Sequence, residues 1–319
     1  MAVYTEVTDE ALIHFVAEYD IGEVVAFRGI AEGVENSNYS LRTTSGDFIL
    51  TLYEKRVDPA DLPWFLGLME HLAKRGVPCP LPVKGQDGNA LRALAGRPAA
   101  ITTFLPGVWP RRVRPEHCAP LGEALARLHL AGEDFTTARR NALGPDGWPP
   151  LWERARTHAD SLRPGLAAEI DSALARVLDL WPVDLPAGHI HADLFPDNVF
   201  FLAGRVSGLI DFYFAATDIL SYDIAVCLNA WCFEPDYDFN VTKARAMLRG
   251  YQSLRPLSAP EQHALPVLCR GAAIRFFLTR LFDWVHTPPG ALVTRKDPLE
   301  YLRRLRFHLA ATDERAYGL

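Results

Sequence analysis

HIHADLFPDNVFF, residues 189–201, followed after a short turn by GLIDF, residues 208–212, is the stretch from which the rest of the chain can be read. It sets His191, Asp193, Asn198 and Asp211 at the edges of short apolar runs. Val199 to Leu202 has the content of a strand, Ala203-Gly204 reads as a tight turn, and Val206 to Ile210 as the returning strand. A polar loop feeding such a hairpin puts Asn198 at its entrance and Asp211 at its exit, so the two are expected close in space. Asp193 lies on the loop just before. Oxygen donors gathered this way suit a hard divalent cation with a substrate hydroxyl beside it.

On the N-terminal side, Thr8 reads as a helix cap, and Leu12, Phe15, Val16 and Tyr19 recur at helical spacing up to Gly22. Val24–Gly29, Ser37–Thr43 and Phe48–Tyr53 read as strands, the last two joined by a turn at residues 44–47. The loop over residues 32–38 is small and polar. It serves either as a plain connection or as a place where backbone N–H groups approach phosphate. Pro59 opens a helix stopped by Gly76 and Pro78, and residues 89–105 carry two more strand candidates, Ala90–Leu94 and Ala99–Leu105. Beyond Pro106-Gly107 the pattern turns helical. Helices are expected from Pro115, near 150–160 after a loop at Pro145–Pro150, and over 166–181. More are expected over Ser221–Cys232, Val241–Leu254, Pro260–Val285 (one helix or a pair) and Pro298–Leu309, whose Arg303, Arg304 and Arg306 read as a solvated face. This shift from sheet to helix divides the chain into residues 1–105 and 106–319, an α+β architecture of two lobes.

The 319 residues are 49% hydrophobic and 23% charged, ordinary for a globular chain with a sizeable core. A net charge of −6 argues against a general nucleic-acid binder. No basic n-region precedes an apolar run, and no apolar run is long enough to span a bilayer. Five cysteines, odd in number and without a C-x-x-C pair, read as free thiols in a reducing cytoplasm.

His191, Asp193 and Asn198 have the spacing H-x-D-x-x-x-x-N, that of the protein-kinase catalytic loop. Phosphoryl transfer needs a carboxylate to accept and orient the acceptor hydroxyl, and an amide and a second carboxylate to hold Mg²⁺ against the phosphates. Asp193 fits the first role, Asn198 and Asp211 the second, and His191 a bracing one. The same letters also spell H-x-H-x-D, a ligand pattern of metallohydrolases. That reading needs further ligands downstream, where His263, His286 and His308 stand in no strand-end context. His129, on the helix from Pro115, reads as a core-edge histidine, and Asp218 and Asp223 as anchors of the following helix.

Together HADLFPDN and IDF resemble the aminoglycoside-phosphotransferase and choline-kinase branch of the protein-kinase-like superfamily. Over nearly its whole length the chain is similar to the bacterial homoserine kinases built on that fold, in GVENSNYSL (33–41), residues 53–72, CLNAWCFEPD (227–236) and residues 287–308. The resemblance implies a two-lobed fold with ATP in the cleft and Gly33, Asn36 and Asn38 over the phosphates. Adenine would lie against the backbone near Thr103 and Leu105, with Asp193 as the base and Asn198 and Asp211 on Mg²⁺. It implies a cytoplasmic monomer or homodimer that transfers the γ-phosphate of ATP to the side-chain hydroxyl of L-homoserine, a step towards threonine. Arg275, Thr279 and Asp283, at four-residue steps on one helix, are candidates for the acceptor's charged groups or else an internal pairing between helices. The chain departs from the wider superfamily at Thr51, where most relatives carry a phosphate-binding lysine. That departure leaves open a nucleotide-binding relative without catalysis, as well as a kinase for another small hydroxylated amine or sugar.

Overall fold

Thr8 caps the first helix by accepting the Ala11 N–H at 3.3 Å, and α1 (Asp9–Val16) turns Leu12, Phe15 and Val16 inward. Gly22 follows with φ +79; a Cβ there would meet the Thr44 hydroxyl oxygen at 2.2 Å, so only glycine fits. Strands β1 (Val24–Gly29), β2 (Ser37–Thr43) and β3 (Gly46–Leu52) then run antiparallel. After a single turn at Pro59–Asp61 comes α2 (Leu62–Lys74). Strands β4 (Arg92–Leu94) and β5 (Arg97–Thr103) complete a five-stranded antiparallel sheet of order β1-β2-β3-β5-β4. Strict alternation along β2 buries Tyr39 and Leu41 and exposes Ser40 and Arg42. Those two side chains join Leu12, Phe15, Leu50, Leu52 and Ile101 in one core, where each fully buried Leu or Phe contributes about 1.5–3 kcal/mol.

The structure is a computed structural model that describes residues 5–30, 36–54, 57–287 and 295–319. It divides into two units, Met1–Gly107 with Ser207–Tyr213, and Val108–Val206 with Phe214–Leu319. A single cut at residue 105 does not anticipate that residues 207–213 belong with the first.

The second unit is mostly helical. Helix α3 (Pro115–Ala131) packs against α7 (Val241–Gln252). Helix α4 (Trp148–Leu162) begins inside the segment expected as loop, because Pro149 and Pro150 fall in its first turn, where proline needs no donor. Then come α5 (Leu166–Asp179), β6 (Ala187–Ile190), β7 (Val199–Leu202), β8 (Arg205–Leu209), which passes into the first unit at Ser207, and β9 (Ala216–Ile219). The turn at Ala203-Gly204 joins β7 to β8, as expected. The antiparallel pairing of β6 with β9, His189 opposite Thr217, was not expected. The last elements are α6 (Leu220–Trp231), α8 (Ala259–His286) and α9 (Pro298–Ala310). Helix α8 is one helix of 28 residues, started by a capping box between Ser258 and Glu261.

The basic face of α9 needs correction at one residue. Arg303 and Arg306 are exposed as expected, Arg306 pairing with Glu169, but Arg304 is buried, bonded to the Asn229 carbonyl at 2.5 Å and paired with Glu300. All five cysteines are buried and free. Burial pushes the Cys79 and Cys118 thiols up to about 12, which keeps them from ionising. Among the described residues no helix is long and apolar enough to cross a membrane.

Candidate active site

The loop from His191 to Asn198 follows β6 and enters β7, all within the second unit. Its backbone polar groups are matched almost one by one. The N–H groups of His191 and Ala192 both donate to the carboxylate of Asp223, at 2.7 and 2.8 Å. The Asp193 N–H donates to His191 Nδ1 at 3.3 Å, which is the bracing expected of that histidine. The Asp193 carbonyl accepts from the Phe195 N–H and from Asn198 Nδ2, both at 2.8 Å. The Leu194 carbonyl accepts from the indole N–H of the fully buried Trp231 at 2.7 Å. The Ala192 carbonyl accepts from Arg275.

Ala192 needs this support, because its φ of +62 lies in the left-handed region. For a residue with a Cβ that costs about 1–2 kcal/mol. Hydrogen bonds to charged groups are worth about 1.5–3 kcal/mol each, and residue 192 has one on either side, from Asp223 and from Arg275. The anchors therefore outweigh the strain and hold Asp193 where the loop presents it, 17% exposed.

Asp223 is the residue whose reach the sequence reading underestimated. It sits fully buried in α6 and takes a third bond from His129 Nε2 at 3.2 Å. Burial alone would raise its carboxyl, but the His129 bond, the nearby imidazoles and the His191 N–H more than offset this and hold it below the usual range. His129 Nδ1 faces the Tyr251 hydroxyl at 2.8 Å, which in turn accepts from Arg255 at 3.1 Å. A signal existed, since an aspartate inside the apolar run LSYDIAVCLNAW must find buried partners. The other histidine of the H-x-H pair is occupied differently. His189 lies with its ring nitrogens 3.0 and 3.1 Å from the carbonyls of Gly132 and Thr137.

Asn198 turns its amide nitrogen onto Asp193, which leaves the amide oxygen as the atom it offers to a cation. Asp211, in the first unit, has φ +67, a second strained residue in the stretch. Each carries a side-chain oxygen, the donor type that a hard ion such as Mg²⁺ takes. Two residues beyond Asp211, the Tyr213 hydroxyl donates to that of Tyr53 at 3.1 Å, and burial raises the Tyr213 phenol well above its ordinary range. Thr51, standing where a lysine is usual, donates to Asn38 Oδ1 at 2.8 Å.

Other candidates fall as follows. Asn36 is buried and accepts the Glu54 N–H at 3.2 Å, so its side chain ties the start of β2 to the end of β3. Gly33 lies outside the described residues. Thr103 ends β5 with its N–H on the Leu81 carbonyl at 3.0 Å, and Leu105 follows, half-buried. Arg275, expected to meet an acceptor or a partner helix, is 2% exposed and faces the loop. Thr279 returns its hydroxyl to the Arg275 carbonyl at 3.1 Å, and Asp283, one turn further along α8, is half-buried.

A loop of this spacing, braced by a buried aspartate in a helical unit, with an antiparallel sheet unit elsewhere in the chain, defines a kinase-like phosphotransferase. The chain belongs to the phosphotransferase enzyme family, whose model matches residues 26–257. The homoserine kinase of Acidiphilium cryptum is 72% identical over 319 residues, all of both chains, and that of Granulibacter bethesdensis 70% over 319 residues, again all of both. Among solved structures, the amicoumacin kinase hAmiN in complex with AMP-PNP, Ca²⁺ and Ami superposes with a TM-score of 0.68 at 14% identity, covering 96% of this chain and 94% of that one. That likeness is one of fold.

Proposed function

We propose that this chain phosphorylates the side-chain hydroxyl of L-homoserine with ATP, giving O-phospho-L-homoserine for threonine biosynthesis in the cytoplasm. The observation that carries the reading is full-length identity of about 60–70% to proteins named homoserine kinase, together with an intact H-x-D-x-x-x-x-N loop.

In this reading the Asp193 carboxylate accepts a hydrogen bond from the homoserine hydroxyl and aims its oxygen at the γ-phosphorus. The new O–P bond forms as the bond to the β-phosphate oxygen breaks. The hydroxyl proton passes to Asp193 and ADP leaves. Asn198 and Asp211 would hold Mg²⁺, which when bound neutralises charge on the phosphate oxygens. Asn38 and Thr51 would lie along the phosphates, with adenine near Thr103 and Leu105. Asp283 is the proposed partner of the acceptor's ammonium group.

A coupled ADP-release assay offering homoserine, choline, methylthioribose and an aminoglycoside should show turnover with homoserine. ATP binding without turnover of any acceptor would sink the enzyme reading. Replacing Asp193 with Asn should lower kcat by about 10²–10⁴-fold while Mg-ATP affinity stays near wild type. A fully active Asp193→Asn protein would remove Asp193 from its role.

A further inference from the structure

Arg275 is buried deep in α8, yet it is turned towards the loop that carries Asp193. Its Nη1 donates to the Ala192 carbonyl, and its Nη2 lies 3.6 Å from Asp193 Oδ1. The guanidinium plane is packed by aromatic rings, with its carbon 4.2 Å from the centre of Phe276 and 5.4 Å from that of Phe214. Its Nε is buried with no hydrogen-bond partner among the described residues.

A buried arginine is expensive to keep, and its retention calls for contacts that a simple apolar residue could not replace. Here two prongs of one rigid fork reach two consecutive residues: the carbonyl of strained Ala192 and the carboxylate of Asp193. Only a planar guanidinium can do both at once; a lysine ammonium is a single point on a flexible stem. A guanidinium committed to the loop and closed in by two rings is not presented to a substrate carboxylate.

We propose that Arg275 is a positioning residue for phosphoryl transfer: it locks the left-handed turn at Ala192 and thereby sets the direction of the Asp193 carboxylate. It acts through Asp193 and touches neither ATP nor the acceptor. The proposal rests on the kinase reading for its kinetic consequences, and on the loop geometry alone for its structural one.

The test uses the full-length protein with Arg275→Met, which keeps a buried apolar stem, and Arg275→Lys, which keeps the charge. Amide hydrogen exchange at Ala192–Phe195 should quicken at least tenfold in both variants, with α6 unchanged. This readout needs no activity, so it stands even if the wild type phosphorylates no homoserine. In kinetics, kcat should fall about 100-fold for Met and less for Lys, with KM for ATP and homoserine within threefold of wild type. The preference for homoserine over 3-aminopropan-1-ol, which lacks the carboxylate, should be unchanged. In an Asp193→Asn background, Arg275→Met should cost less than threefold further. Unchanged loop exchange in both variants overturns the proposal. So does a loss of the preference for homoserine over the amino alcohol, which would make Arg275 the carboxylate's partner. A full additive loss on top of Asp193→Asn overturns it as well, since that is the mark of a general packing role.

Discussion

His308 stands between two fixed partners, the Tyr317 hydroxyl 3.0 Å from Nδ1 and the Asn229 amide oxygen 3.1 Å from Nε2. The Asn229 oxygen can only accept, so Nε2 donates to it, and in the neutral ring Nδ1 is left to accept from the Tyr317 hydroxyl. Burial, aided by the Arg304 and Arg270 guanidinium groups, pushes its pKa down from 6.5 to about 3. The folded protein therefore refuses a proton that the unfolded chain takes up. Stability is full above about pH 6.5, falls as pH drops from there to about 3, and levels off below, with a slope of at most about 1.4 kcal/mol per pH unit. In urea unfolding, the stability advantage of wild type over His308→Gln should be smaller by about 2 kcal/mol at pH 5 than at pH 7. An equal advantage at the two pH values would refute it. Residues like this one show where reading a sequence stops. That Asp193 and Asn198 stand together was legible because they lie within six residues of one loop. Asp223 and Arg275 were not, because their partners lie roughly 30 and 80 residues away along the chain. Arg304 was read as solvated because a helical repeat shows a face but not what covers it.

At the level of elements, helices were legible where a cap or a proline marked their start, at Thr8, Pro115, Pro260 and Pro298, but not at α4, whose first-turn prolines read as loop. The strands of the first unit were legible through alternation and drifted by a residue or two at their ends. Strands β6 and β9 were missed because four residues are too few to show a period, and AGHI and ATDI lack the apolar run that marks β7. One close helix contact was also invisible in sequence. Gly122 of α3 and Gly250 of α7 let the two helices touch: a Cβ at Gly122 would lie 2.1 Å from the Met247 carbonyl oxygen, and one at Gly250 the same distance from that of Ala119. Alanine in a helix gains about 1 kcal/mol over glycine, but overpacking against backbone, which cannot rotate away, costs about 1–3 kcal/mol or more. Gly122→Ala should therefore lower stability by about 1–2 kcal/mol, read from the urea midpoint at unchanged m-value. A stabilised variant would show that the helices part freely.

Across the whole molecule, the first unit is not one continuous stretch of chain. Residues 207–213 complete it: the Leu209 N–H donates to the Pro78 carbonyl at 2.7 Å, the Ser207 hydroxyl to that of Pro106 at 2.7 Å, and Tyr213 lies edge-on to Tyr53 and Phe65. The core of the sheet, from Leu12 to Ile101, is complete without them. A fragment of residues 1–107 is therefore expected to fold but to melt early, and a synthetic peptide of residues 205–215 added in excess should raise its melting temperature in a concentration-dependent way. No shift at millimolar peptide would mean that the segment adds nothing to the unit.

The same arrangement has a consequence in time. A ribosome adding about 5–20 residues per second finishes Gly107 roughly 100 residues before it delivers Tyr213. For something on the order of 10 s the nascent sheet unit exists with Tyr53 and Phe65 uncovered. Every new chain must pass through that half-closed form, so its resistance to sticking, as much as the finished protein's stability, is a property these 319 residues must encode.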